Sequence, residues 1–135
     1  MSARRLACAG TGAGLLLAAL LCACAPRYRF PPAFTPPIGH LEEGVASWYG
    51  PGYHGNRTSS GERFDQDALT AAHPTFTFGT QVKVTLLSNG RSVVVRINDR
   101  FPAHKGRIID LSRAAARAIG LIGPGTGRVR LEVVS

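Results

Sequence analysis

Four side chains combine a titratable group with a setting that chemistry could use. Asp99 ends the run Val93-Val94-Val95-Arg96-Ile97-Asn98-Asp99. Val93, Val95, Ile97 and Asp99 share one parity, and side chains two apart on a strand face the same side. If the pleat holds to its end, Asp99 points where the valines point. A carboxylate at the lip of an apolar core has its pKa raised and can act as an acid near neutral pH. The competing reading is a residue that only shapes the turn toward Pro102. Glu62 follows a glycine in a long loop, with a solvated surface glutamate as its alternative. His73 stands between small residues and Pro74, which biases it toward an extended conformation. Asp110 stands near a helix start, where the macrodipole favours negative charge, and that structural role is its alternative.

Other chemistries are excluded by what the chain lacks. It has no phosphate loop, nucleotide fingerprint or paired-histidine zinc motif. His40, His54, His73 and His104 have no ligand spacing, so neither a metal nor another cofactor is expected. There is no Gly-x-Ser-x-Gly elbow. The three cysteines, Cys8, Cys22 and Cys24, lie at the N-terminus, which leaves no cysteine nucleophile or disulfide framework for the rest. Carboxylates, a histidine and aromatics around long loops suit glycoside chemistry. That chemistry needs a protonated acid at the leaving oxygen and something to attack the anomeric carbon.

The elements that must position these groups are short. Residues 44–50, ending in Trp48-Tyr49-Gly50, read as a strand running into a glycine turn. Trp48 is either a sugar-stacking platform or a core aromatic. Residues 50–63 form a loop long enough to be functional. Gln81-Val82-Lys83-Val84-Thr85-Leu86 alternates cleanly, and Asn89-Gly90 is a strong hairpin signal. With those two residues as the turn, Leu86 faces Val93, Val84 faces Val95 and Val82 faces Ile97. Residues 107–111 read as a strand. Ser112 caps a helix to about Ile119, with Leu111, Ala115, Ala118 and Ile119 as its buried stripe and Gly120 as its C-terminal cap. Residues 128–133 alternate as a closing strand. About six short strands, one short helix and no βαβ rhythm predict a small closed barrel or sandwich.

The N-terminus predicts export. Arg4 and Arg5 precede an apolar run over residues 6–23, the layout of a signal peptide. Leu21-Cys22-Ala23-Cys24-Ala25 resembles a bacterial lipobox with Cys24 as the acylated residue. Ala25 directs such a protein to the outer membrane, anchored by lipid on its periplasmic face. Five of the nine prolines fall in residues 25–40, and we expect an extended tether there rather than an arm packed through Tyr28, Phe30 and Phe34. The expected organisation is therefore 1–23 signal peptide, 24–40 lipidated cysteine and linker, and 41–135 barrel domain. The net charge of +8 would suit nucleic acid, but export argues against that partner and for an anionic envelope polymer or lipid headgroups.

Five motifs follow one another in order: Gly44-Val-Ala-Ser-Trp-Tyr-Gly50, Thr58-Ser-Ser-Gly-Glu62, Ala68-Leu-Thr-Ala-Ala-His73, Val93-Val-Val-Arg-Ile-Asn-Asp-Arg100 and Arg107-Ile-Ile-Asp-Leu-Ser112. Together they resemble the rare lipoprotein A family of bacterial lytic transglycosylases, over about residues 44–134. The resemblance implies an all-β fold, a six-stranded double-psi β-barrel with one or two short helices. It implies cleavage of MurNAc–GlcNAc bonds in peptide-free peptidoglycan strands, leaving 1,6-anhydro-MurNAc ends. Carried over by position, Asp99 is the first choice for general acid/base, Glu62 and His73 complete the site, and Asp110 is a fourth candidate. Trp48, Tyr49 and Tyr53 then line the sugar groove, with Thr58, Asn98 and Arg100 also contacting substrate. A monomer is expected. The rival reading is a non-catalytic, expansin-like wall-binding lipoprotein. Phe101 stands where the family usually has glycine beside the acid, which would narrow the groove or alter its loop. The chain also ends at Ser135, without the C-terminal repeat domain that carries many relatives to the septum.

Overall fold

The computed structural model describes residues 28–135. The expected signal peptide, the acylated Cys24 and the start of the proline-rich segment lie outside the described residues. Six strands close into a barrel: β1 (Leu41–Trp48), β2 (Thr70–Ala72), β3 (Gln81–Leu86), β4 (Ser92–Asp99), β5 (Arg107–Leu111) and β6 (Gly127–Val133). Their order around the barrel is β1-β5-β2-β4-β3-β6. The β1–β5 and β2–β4 pairs run parallel, and the remaining pairs run antiparallel. This is the six-stranded barrel that the sequence predicts, with one helix among the described residues, α1 (Arg113–Ile119), and one 3-10 turn, Pro51–Tyr53. Closure leaves no unpaired sheet edge.

Alternation fills the interior. Val82, Val84 and Leu86 of β3, Val95 and Ile97 of β4, Ile109 and Leu111 of β5, and Val129, Leu131 and Val133 of β6 all point inward and are buried together. The β3–β4 register differs from the expected one. Val82 pairs with Val95 and Val84 with Val93, a slip of two residues from a two-residue turn. The loop is longer because it closes on Leu86 and Arg91, whose N–H and C=O meet at 2.8 Å. Asn89 stays in that loop, its Oδ1 accepting from Arg91 N–H at 2.9 Å, while its amide also donates to the Ile119 carbonyl at the helix end, 2.9 Å away. A slip of two preserves parity, so valine still meets valine.

Two bulges break the pleat where the site forms. Ala71 pairs with Ile97 but Ala72 pairs with Asp99, so Asn98 is an extra residue on β4. The pleat therefore does not carry Asp99 into the core with the valines. A bulge re-aims the side chain after it, and Asp99 turns to the barrel rim. The second bulge inserts Ile108 on β5 opposite the Val45–Ala46 step of β1. Gly44 makes room for it: a Cβ there would lie 2.7 Å from Ile108 Cγ2 and 3.1 Å from the Gly106 carbonyl.

Helix α1 begins and ends where its caps predict. The Ser112 hydroxyl accepts from Ala115 N–H, and Gly120 closes the helix in the left-handed conformation at φ 81°. Its buried face is Ala115, Ala116 and Ile119; Ala118, expected on that stripe, is exposed. The segment before β1 touches the barrel at Phe34, whose N–H donates to Thr75 C=O and whose C=O accepts from Thr77 N–H.

Ser112 ties the helix to the strand it must sit beside. Besides capping, its hydroxyl donates to the Ala68 carbonyl at 2.6 Å, and the residue is fully buried. Ser112→Ala should therefore cost about 1–2 kcal/mol, read as a lowered midpoint of urea unfolding with an unchanged slope.

Candidate active site

One cross-strand row brings two carboxyl groups together. Ser47 on β1 pairs with Asp110 on β5, Asp110 pairs with Ala72 on β2, and Ala72 pairs with Asp99 on β4. Two strand spacings therefore separate the backbones of the aspartates, roughly 10 Å. Between them stands a methyl group. Ala72 is fully buried but lies outside the apolar core that Ala71 joins.

Asp110 is half-buried, like Asp99. Burial raises its pKa from 3.8 to about 6; the Ser47 hydrogen bond and Arg107 oppose the rise, and Asp99 adds to it. The Ser47 hydroxyl donates to Asp110 Oδ1 at 2.9 Å, and Arg107 Nη1 donates to the same hydroxyl oxygen at 3.1 Å. Serine thus stands between the cation and the acid. No direct ion pair forms there to hold Asp110 ionised.

Asp99 is held by three donors. Tyr49 Oη donates to Oδ2 at 2.8 Å, while the Ser59 and Arg100 backbone N–H groups reach Oδ1 at 2.9 and 2.8 Å. Burial first, and Asp99 second, push the Tyr49 pKa upward, so its hydroxyl remains a donor. Ser59 arrives on the long loop after β1, which is pinned rather than free. Gly55 and Phe64, Asn56 and Phe64, and Thr58 and Glu62 join by backbone hydrogen bonds. Phe64 is buried with its ring 4.5 Å from that of Tyr49.

Both aspartates open on one cleft of about 360 Å³, lined also by Trp48, Tyr49, Tyr53, Arg100, Phe101 and Arg107. Trp48 both packs on the core and lines the cleft, so its two sequence readings are not exclusive. Tyr53 projects into solvent, 57% exposed, at the cleft mouth. Phe101 forms part of the wall, with the Arg107 guanidinium 5.7 Å from its ring centre.

The other sequence candidates face elsewhere. Glu62 makes a two-pronged pair with Arg96, 2.6 and 3.2 Å, on an exposed face outside the cleft lining. Arg96 holds its pKa down. The buried His73 ring lies flat on Phe76, with ring centres 3.6 Å apart. Its Nδ1 accepts from Thr75 and Phe76 N–H, so Nε2 carries the proton and donates to Glu42 at 3.1 Å. What His73 sends toward the site is backbone: its N–H donates to the Asp99 carbonyl. Thr58 hydrogen-bonds Ser60 and the Glu62 carbonyl inside its loop. Asn98 is the buried bulge residue, and its carbonyl accepts from Ser60 N–H. Among the described residues no cluster of His, Cys, Asp and Glu could hold a metal ion. Sequence reasoning left Ser47 and Arg107 out of the site; the only signal for them was their place in the first and last of the five motifs.

Comparison with known proteins fits this arrangement. Residues 41–131 match a family model described as lytic transglycolase. The "Probable endolytic peptidoglycan transglycosylase RlpA" of Synechocystis is 64% identical over 97 residues, covering 72% of this chain and 30% of that protein. The "Endolytic peptidoglycan transglycosylase RlpA" of Campylobacter jejuni is 56% identical over 97 residues, covering 72% and 35%. The chain thus spans about a third of the length of these relatives. Among solved structures, the Streptomyces papain inhibitor superposes with a TM-score of 0.60 at 23% identity, covering 73% of this chain and 98% of that one. The apo expansin of Clavibacter michiganensis gives 0.58 at 25%, covering 71% and 51%. With the family model matched along nearly the whole barrel and the RlpA relatives agreeing, this chain belongs to the lytic transglycolase family as an RlpA-like member.

Proposed function

We propose that the barrel is the catalytic domain of a peptidoglycan lytic transglycosylase that cuts MurNAc–GlcNAc bonds, prefers peptide-free strands and leaves 1,6-anhydro-MurNAc ends. The observation that carries this reading is a half-buried carboxyl group, its pKa raised by burial to about 6, open to a cleft walled by aromatic rings beside a second aspartate. A proton donor at the leaving oxygen needs such a pKa.

The order of candidates changes with this reading. Asp110 donates its proton to the bridging oxygen, which leaves as the GlcNAc 4-hydroxyl. Positive charge develops at the anomeric carbon, where Asp99, held in place by Tyr49 and two backbone N–H groups, stabilises it. The 6-hydroxyl of the same muramic ring closes on that carbon, and the Asp110 carboxylate takes its proton and is restored. An internal nucleophile already has its orientation, so no water-activating base is needed. Glu62 and His73 act in this scheme by holding the walls of the site: one fixes the loop that carries Ser59, the other the backbone behind Asp99.

The same proposal places the domain in the cell envelope as a monomer, anchored through Cys24 at the periplasmic face of the outer membrane. With Phe34 seated on the barrel, residues 25–33 remain to span from lipid to domain, roughly 28 Å if extended.

Asp110→Asn should lower the yield of anhydro-muramic ends from peptide-free sacculi by about 10²-fold or more, with Asp99→Asn also strongly impaired. Mass spectrometry of the digests reads both. Unchanged product from Asp110→Asn would remove the acid from this scheme, and binding of sacculi without products by the wild type would favour the expansin-like wall binder.

The acid's environment can be tested without substrate. Between pH 3.8 and about 6 the folded chain keeps a proton on Asp110 that the unfolded chain releases. Stability from this group should therefore fall as pH rises through that window. The fall is at most about 3 kcal/mol, at 1.36 kcal/mol per pKa unit. Urea midpoints of wild type and Asp110→Asn, compared from pH 4 to 7, should converge at low pH and favour the variant at neutral pH.

A further inference from the structure

We infer that Arg107 is the residue that reads the free lactyl carboxylate of a muramic acid, and so selects peptide-free strands. The inference rests on the proposed transglycosylase reading.

Charge and unused donors single out Arg107. The cleft holds two guanidinium groups, Arg100 and Arg107, and two carboxyl groups, Asp99 and Asp110. When Asp110 carries the proton it must donate, at most one carboxylate faces two cations. The cleft ready for catalysis therefore has an excess of positive charge, which an anion on the ligand would complement. Among the described residues neither arginine is in an ion pair.

The two arginines are not equally free. Arg100 Nη1 donates to the His73 and Asp99 carbonyls at 3.2 and 3.4 Å, and its guanidinium lies over the Phe78 ring at 4.3 Å. It is committed to the wall. Arg107 gives one hydrogen bond, to Ser47 Oγ, and is steadied against Phe101. The rest of its planar fork is free for the two-pronged geometry that a carboxylate accepts.

On a glycan strand without peptides, one acidic group recurs near the scissile bond. It is the lactyl carboxyl on C3 of the ring whose C1 is attacked, a few ångströms away. In strands that keep their peptides the same carboxyl is an amide, which carries no charge and is bulkier. Arg107 also touches the hydroxyl that donates to Asp110, so the carboxylate would sit on the acid's side of the cleft. Phe101 fixes the guanidinium there in place of the usual glycine, which gives that departure a use.

The test compares peptide-free strands with the same strands after their lactyl carboxyls have been converted to methylamides. Initial rates of anhydro-end formation at limiting substrate give a ratio of kcat/KM for the two. Wild type should favour the carboxylate strands by about tenfold or more. Arg107→Gln should bring the ratio close to one, whatever it does to the absolute rate through Ser47. Arg107→Lys, which keeps the charge but loses the fork, should fall between. Wild type that treats both strands alike, or Arg107→Gln that keeps the preference, overturns the inference and leaves the transglycosylase reading standing. If wild type forms no anhydro ends from either strand, that reading fails, and calorimetric binding of the same two strands to wild type and Arg107→Gln decides the role of Arg107 by the same ratio.

Discussion

Everything at the site depends on how little room there is between β5 and β4. A three-residue strand, β2, is wedged there, and its last residue is paired on both sides with an aspartate. Ala72 is fully buried, so a larger side chain at this position would have to push its neighbours aside. An alanine keeps the two acids on one row, near enough for Asp99 to help raise the Asp110 pKa. Their spacing is thus a property of the barrel's hydrogen bonding, since strand pairing fixes it before any side chain is placed. The two bulges adjust the aim. One turns Asp99 out of the valine row, and the other lets β5 stay paired to β1 while its phase shifts ahead of Asp110.

Given that frame, the two aspartates differ in what surrounds them. Asp99 meets three donors and is fixed by them. Asp110 meets one hydroxyl, which itself faces an arginine, and is half-buried at the cleft. The intervening serine matters because a direct Arg107–Asp110 pair would pull the acid's pKa down instead of leaving burial to raise it. Two chemically identical side chains thereby sit in different surroundings, one fixed by donors and one with its pKa raised by burial. This is the separation of environments that acid-assisted glycosidic cleavage uses.

Much of the barrel was legible because its strands alternate. Residues 81–86, 93–99, 107–111 and 128–133 announce an inward face every second position, and Ser112 and Gly120 announce the ends of the helix. What period and propensity cannot show is pairing between distant strands. β2 has only Thr70, Ala71 and Ala72, too short and too small to signal a strand, yet it is the wedge between the acids. The slip in the β3–β4 hairpin goes with a tertiary contact, Asn89 on the Ile119 carbonyl, that no local turn rule contains. Asp99 stood out as a carboxylate ending a valine run, and the family resemblance brought forward Asp110, Trp48, Tyr49, Tyr53 and Arg100, all of which the fold gathers at one cleft. Ser47 and Arg107 were invisible as partners because β1 and β5 are parallel neighbours some sixty residues apart in sequence.

His73 shows why a residue in a functional motif need not face the reaction. Its imidazole is occupied on every side: Thr75 and Phe76 N–H on one nitrogen, Glu42 on the other, and the Phe76 ring against its face. Glu42 is in turn shared with His40, and His40 packs on Phe34 and Phe76. The ring therefore acts as a rivet joining β1 to the segment after β2. Its backbone donates to the Asp99 carbonyl, and its own carbonyl accepts from Arg100. Moving this ring would move the peptide behind Asp99 and the guanidinium beside it, which is enough to disturb a carboxylate whose direction the β4 bulge has already set. The histidine's place in the motif follows from what it fixes, with no need for its ring to enter the cleft.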